Sequence, residues 1–141
     1  MPQRATALKV FLKTVINAPY HAGASIDDPN YIEVNGEKAA RVSVVGKVTE
    51  KAGMDASNYS SLTLEQGGVR LRARFFGKET SVNEGDLAKV IGKTRESNGE
   101  RFILGEIAKK ISGQELRLHE LESQELETKD SCSFVQDAGS V

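Results

Sequence analysis

The pair Asn-Gly occurs at 35–36 and at 98–99, and Gly67-Gly68 stands between them, each pair flanked by short segments that alternate apolar and polar residues. Both central residues of a two-residue type I′ turn need positive φ, so each pair predicts a β-hairpin. Tyr31 to Val34 leads into the first turn and Ala40 to Glu50 leaves it. Tyr59 to Glu65 and Val69 to Phe76 flank Gln66-Gly67-Gly68, while Asp86 to Thr94 and Arg101 to Ile111 flank the tip Glu96 to Glu100. The polar connection GKETSVNEG, 77–85, is too short for a full helix. Five main strands therefore follow the Asn35-Gly36 turn, an all-β pattern that suits a small barrel or sandwich. Gly46, Gly92 and Gly105 lie inside strand patterns, where glycine marks bulges and sharp bends. A small, strongly coiled barrel requires such bends, so a five-stranded barrel is the economical reading.

The flanks differ from this body. Ala5 to Ile16 places Leu8, Phe11, Leu12, Val15 and Ile16 at near-helical spacing, but Val10 interrupts the stripe and periodicity does not separate helix from strand. Gln114 to Thr128 is rich in helix formers and carries Leu116, Leu118, Leu121 and Leu126, which predicts a helix. Asp130 to Val141 reads as disordered. Charge divides at the same place. Residues 1–112 carry 17 basic against 13 acidic side chains and residues 113–141 carry 2 against 7, so the formal net charge of -1 hides a basic body and an acidic appendage. The expected organisation is an N-terminal extension with a hairpin strand over 1–36, a barrel over 37–112, a helix over 113–128 and a flexible acidic tail over 129–141.

Several function classes find no support in this pattern. The chain has one cysteine, Cys132, which excludes an intrachain disulfide and a cysteine-rich zinc site. His21 and His119 have no ligand-type spacing around them, so neither a metal nor a cofactor is expected. No nucleophile elbow or phosphate-binding glycine loop occurs, and Asp27-Asp28 beside Pro29 reads as a turn. An enzyme is therefore not expected. The lack of an 18-residue apolar run and of a signal segment predicts a protein that neither spans a membrane nor is secreted.

VRLRARFF is the most informative strand. Val69, Leu71, Ala73 and Phe75 fall on one face and Arg70, Arg72, Arg74 and Phe76 on the other. Side chains two apart on a strand stand roughly 6 to 7 Å apart, close to the repeat of an extended nucleic-acid backbone. VRLRARFF offers these arginines no acid of its own, and Phe76 supplies a stacking surface beside them. On the preceding strand, burial of Leu62 and Leu64 turns Tyr59, Ser61 and Thr63 outward. The first strand, inward through Val42, Val44 and Val48, presents Arg41, Ser43 and Lys47, and Lys93 and Arg95 flank the last hairpin turn. Cations interleaved with aromatic faces are the pattern of a single-strand binding platform. Alternating arginines are equally the pattern of a solvated sheet face, and Phe76 and Phe102 are equally core residues by composition.

Ala40 to Ile111 resembles the oligonucleotide-binding (OB) fold of the archaeal replication protein A family, its smaller subunits and replication protein A-associated proteins in particular. The matching pieces are RVSVVGKVTEK, VRLRARFFG and AKVIGKTRESNGERFILGEIAKKI, the last being the most specific. The resemblance implies sequence-nonspecific single-stranded DNA binding in replication, repair and recombination, by a cytoplasmic or nucleoid protein acting alone or in a heteromer. It places one stacking aromatic at the end of the third strand, Phe76, or Phe75 if a bulge shifts the parity. The second belongs in the loop before the fifth strand, where RESNGER has no aromatic and Phe102 is nearest. The implied DNA-contacting set is Arg41, Lys47, Tyr59, Arg70, Arg72, Arg74, Phe76, Lys93, Arg95 and Phe102. The family's helix after the barrel bundles with partner subunits, which implies contact with other replication protein A subunits through Leu116, Leu118, Leu121 and Leu126. The alternatives are a structural OB subunit that chiefly assembles the complex and an RNA-binding OB protein. The acidic tail is also expected to compete for the basic groove.

Overall fold

A computed structural model describes residues 7–23, 30–53, 56, 58–77 and 80–139, with side chains through 126. Asp27-Asp28 and the side chain of Cys132 lie outside the described residues.

The predicted turns form as their residues dictate. Asn35 and Gly36, Gly67 and Gly68, and Asn98 and Gly99 all have positive φ. The first turn joins β3 (Tyr31–Val34) to a short separate strand, β4 (Glu37–Ala39), and not to the long strand expected from Ala40 onward. With β2 (Tyr20–His21), these make a three-stranded sheet whose inner face buries Ile32, Val34 and Ala39.

The larger sheet contains β5 (Arg41–Ala52), β6 (Tyr59–Gln66), β7 (Val69–Phe76), β8 (Leu87–Ser97) and β9 (Glu100–Lys110). Neighbours run β5-β6-β7-β9-β8, and β8 pairs again with β5 from Arg41↔Lys93 to Lys47↔Leu87, which closes the ring. All steps are antiparallel except β7–β9, which is parallel. The register shifts between Val48 and Glu50, where Thr49 is an extra residue in β5, and opposite Ile91/Gly92, where Glu106 is an extra residue in β9, and both bend their strands. Gly105 shows why a side chain is excluded at that bend. A Cβ there would lie 2.3 Å from Cε1 of Phe75, the largest fully buried side chain.

The described part of the N-terminal segment, from residue 7, resolves into both readings. Leu8–Lys9 is a strand, β1, parallel to β5, and Leu12–Asn17 is a helix, α1. Six residues do not form a helix in isolation. The ends of α1 are held by side chains distant in sequence. Gln66 Oε1 accepts from the Leu12 N–H at 3.1 Å, and the Arg101 guanidinium donates to the Val15, Ile16 and Ala18 carbonyls.

The boundary at Ser112 is a capping box: Ser112 Oγ accepts from the Glu115 N–H at 3.1 Å, and the Glu115 carboxylate faces back to the Ser112 N–H at 3.5 Å. The helix that follows, α2, spans Gly113–Gly139 and so continues through residues expected to be a flexible tail. No proline or glycine interrupts it between Gln114 and Ala138.

Candidate nucleic-acid interface

The ladder between β6 and β7 sets the site. Tyr59 lies opposite Phe76, Ser61 opposite Arg74, Thr63 opposite Arg72 and Glu65 opposite Arg70. No bulge interrupts β7, so the period of two holds to its end. Phe75 is 0% exposed and Phe76 62% exposed, which settles the parity in favour of Phe76.

The Tyr59 and Phe76 rings meet edge-on at 5.2 Å between centroids. The Arg74 guanidinium lies 4.6 Å from the Tyr59 ring centre and 5.6 Å from that of Phe102. Phe102 reaches this cluster because β9 runs parallel to β7, with Ala73 opposite Ile103. Three aromatic side chains and one cation, drawn from three strands, thus form one surface. Each exposed cation–π contact contributes about 0.5–1 kcal/mol, enough to order Arg74 and little enough to exchange for a ligand.

The other two arginines of β7 are less free than the strand alone suggests. Glu65 on β6 meets Arg70 at 3.1 Å, and Glu100 on β9 lies 3.9 Å from Arg72. Both pairs are solvent-exposed and contribute on the order of 0–1 kcal/mol each, so a phosphate can replace either carboxylate.

The remaining predicted contacts separate. Arg41 is engaged by Glu106 at 2.7 Å. Lys47 is exposed, and Lys93 and Arg95 stand on the outer face of β8 opposite Leu104 and Phe102. Ser43 is not presented outward as expected: it is buried against α2, its Oγ 3.1 Å from Nε2 of His119. The role of Arg101 is not legible in the sequence, because it depends on α1. Its guanidinium pairs with Glu96 at 2.7 Å and lies over the Tyr20 ring, pinning the β8–β9 tip to the N-terminal segment.

The four helical leucines do not share a face. Leu118 and Leu121 point to solvent at 58% and 46% exposure, whereas Leu126 packs against the barrel core and Leu116 is half-buried. The side of α2 that meets the barrel centres on polar residues. His119 and Ser123 are buried there, Ser123 Oγ donating to the His119 carbonyl at 2.8 Å, and Lys9 bonds Glu122 at 2.7 Å. Burial lowers the His119 imidazole to about 4, and the hydrogen bond from Lys9 lowers the Glu122 carboxyl.

Among the described residues there is no cluster of three His, Cys, Asp or Glu side chains able to hold a metal, and no helix is long and apolar enough to cross a membrane.

No protein-family model matches the sequence. An uncharacterized protein of Methanocaldococcus jannaschii is 33% identical over 93 residues, a stretch that covers 66% of this chain and 39% of that protein. A chain of the S. pombe Stn1–Ten1 complex superposes with a TM-score of 0.74 at 13% identity, covering 96% of this chain and 99% of that one. A chain of a replication protein A heterotrimer bound to single-stranded DNA gives 0.69 at 18% identity, covering 84% and 93%. A chain of yeast replication protein A bound to single-stranded DNA gives 0.61 at 21% identity, covering 89% and 95%. The ring order, the parallel β7–β9 step and these likenesses together make the barrel an oligonucleotide-binding fold, the fold of the replication protein A and Stn1–Ten1 chains.

Proposed function

We propose that this chain binds single-stranded DNA without sequence preference, as a non-enzymatic subunit of a replication protein A-like complex serving replication, repair and recombination. The supporting observation is the cluster of Tyr59, Phe76 and Phe102 around Arg74 on the outer face of the barrel. Bases stack on Phe76 and Tyr59, and Arg70, Arg72 and Arg74 exchange their present partners for phosphates. Stacking on an aromatic ring is tolerant of base identity, because every base has a π-face.

Titration of labelled oligothymidylate with the wild type and with an Arg70/Arg72/Arg74 triple-alanine variant tests the reading. Removal of three phosphate contacts lowers the salt slope of log affinity by about 2 on single strands. Equal affinity and slope in the two proteins would discard the reading. Tighter binding of RNA than of DNA oligomers would favour an RNA-binding role.

A second reading, assembly, draws on Leu118 and Leu121, which face away from the barrel on α2. These two side chains are the surface for partner subunits. Leu126, partly buried against the core, offers a partner less surface.

A further inference from the structure

The cations of the β7 face and those of the β8 face differ in one respect. Arg70 and Arg72 each have a carboxylate nearby, and Arg74 is held by rings. On the outer face of β8, Lys89, Lys93 and Arg95 alternate with the inward Ala88, Val90 and Thr94. Lys109 on β9 lies directly opposite Lys89. None of these four has a carboxylate within ion-pairing distance among the described residues. Lys89 shares a groove with Glu115 and Glu122 of α2, where Glu122 is bonded to Lys9 at 2.7 Å, and Glu106 is bonded to Arg41 at 2.7 Å.

Attraction of a polyanion depends on charge left unbalanced, so Lys93, Arg95 and Lys109 add a second cationic surface on β8 and β9, beside the aromatic cluster. The two surfaces are continuous. Arg95 is opposite Phe102, whose ring contacts Arg74. From Arg95 to Lys89 the strand covers about 20 Å, with cations at intervals compatible with an extended phosphate backbone. Between the two ends, Ile91 and Ile107 sit side by side on the same face, Ile107 being 51% exposed. Their apolar surface accepts sugar and base edges that a row of charges alone would leave in water.

We infer that a single strand seated on the aromatic cluster continues across β9 and around the barrel onto β8, where Arg95, Lys93, Lys89 and Lys109 receive its phosphates. The inference rests on the proposed single-strand binding and adds a path and a longer site to it. A nucleic acid is favoured over an acidic protein because the cations run on from stacking aromatics.

The test uses the full chain, a Lys89→Ala/Lys93→Ala/Lys109→Ala variant, and oligothymidylates of about five and about fifteen nucleotides, which bracket the sites known for single OB folds. The short strand fills the aromatic cluster and binds both proteins alike. The long strand distinguishes them. Three lost contacts reduce its salt slope by about 2, so between about 50 and 200 mM salt the wild type loses about 20-fold more affinity than the variant. Equal slopes on the long strand, with Phe76→Ala weakening both lengths, would overturn the path and leave single-strand binding standing. A variant that weakens the short strand as much as the long would also overturn it, since the lysines would then act as a diffuse field. Capture of polyglutamate by the wild type and not the variant, with equal oligonucleotide binding, would assign the face to an acidic protein. Failure of the wild type to bind either length would remove the proposed function itself.

Discussion

Phe75 and Phe76 are adjacent in sequence and opposite in what their loss should do. Phe76 is 62% exposed and its ring touches Tyr59 edge-on, so Phe76→Ala removes little buried area and one aromatic pair. The pair contributes about 0.5–1.5 kcal/mol beyond area, and relief elsewhere is small, so unfolding free energy falls by about 1 kcal/mol. A base stacked on the ring contributes about 1–3 kcal/mol, so affinity for single-stranded DNA falls about 5- to 150-fold. Phe75 is fully buried and its ring fills the space above Gly105. Phe75→Ala leaves a cavity and costs about 3–5 kcal/mol, with affinity of the folded fraction unchanged. Where that variant does not fold, Phe75→Leu makes the same comparison at lower cost. Urea unfolding followed by circular dichroism gives the stabilities, and fluorescence anisotropy of a labelled oligonucleotide gives the affinities. Phe76→Tyr, which keeps a stacking face, should retain most of the binding. The reasoning is refuted if Phe76→Ala binds DNA as well as the wild type, or if it destabilises the fold as much as Phe75→Ala does.

Two further outcomes are expected. Gly105→Ala forces a methyl against the fully buried Phe75 ring and should lower the unfolding free energy by about 1–3 kcal/mol, with partial recovery in the Gly105→Ala/Phe75→Leu double variant. His119 is held down to about 4 by burial, with Lys9 and Lys89 also opposing its charge and Ser43 and Glu122 favouring it. The unfolded chain therefore takes up a proton near 6.5 that the fold refuses until about 4, so its contribution to stability is complete above 6.5 and declines as pH falls through that window. Urea midpoints measured across the window should show the decline in the wild type and a flatter profile in His119→Gln.

The local rules carried much of the fold. Asn35-Gly36, Gly67-Gly68 and Asn98-Gly99 turn where backbone freedom allows it, and the alternation of VRLRARFF places Phe76 outside and Phe75 inside. What could not be read was non-local. Glu65 and Glu100, which meet two of the three arginines, sit on neighbouring strands whose register depends on the closed ring. His119 and Ser123 look like surface residues of a polar helix, and only the position of Ser43 turns them inward. The same blindness affected the leucines of α2, since a thin stripe does not say which side faces the barrel. Arg101 is ordinary in sequence because the carbonyls it holds lie more than 80 residues earlier.

That arginine also orders events in time. Arg101 secures α1 from the last hairpin, and Lys9 in β1 joins Glu122 in α2, a separation of 113 residues. Folding on the ribosome therefore cannot finish from the front. β1 and the start of α1 can dock on β5 and β6, but their docking surface stays incomplete until β9 and α2 have been made, and contacts of such long sequence range slow folding. For that interval the apolar Leu12 and Val15 of α1 are only partly covered, which leaves this segment open to a chaperone while synthesis is under way.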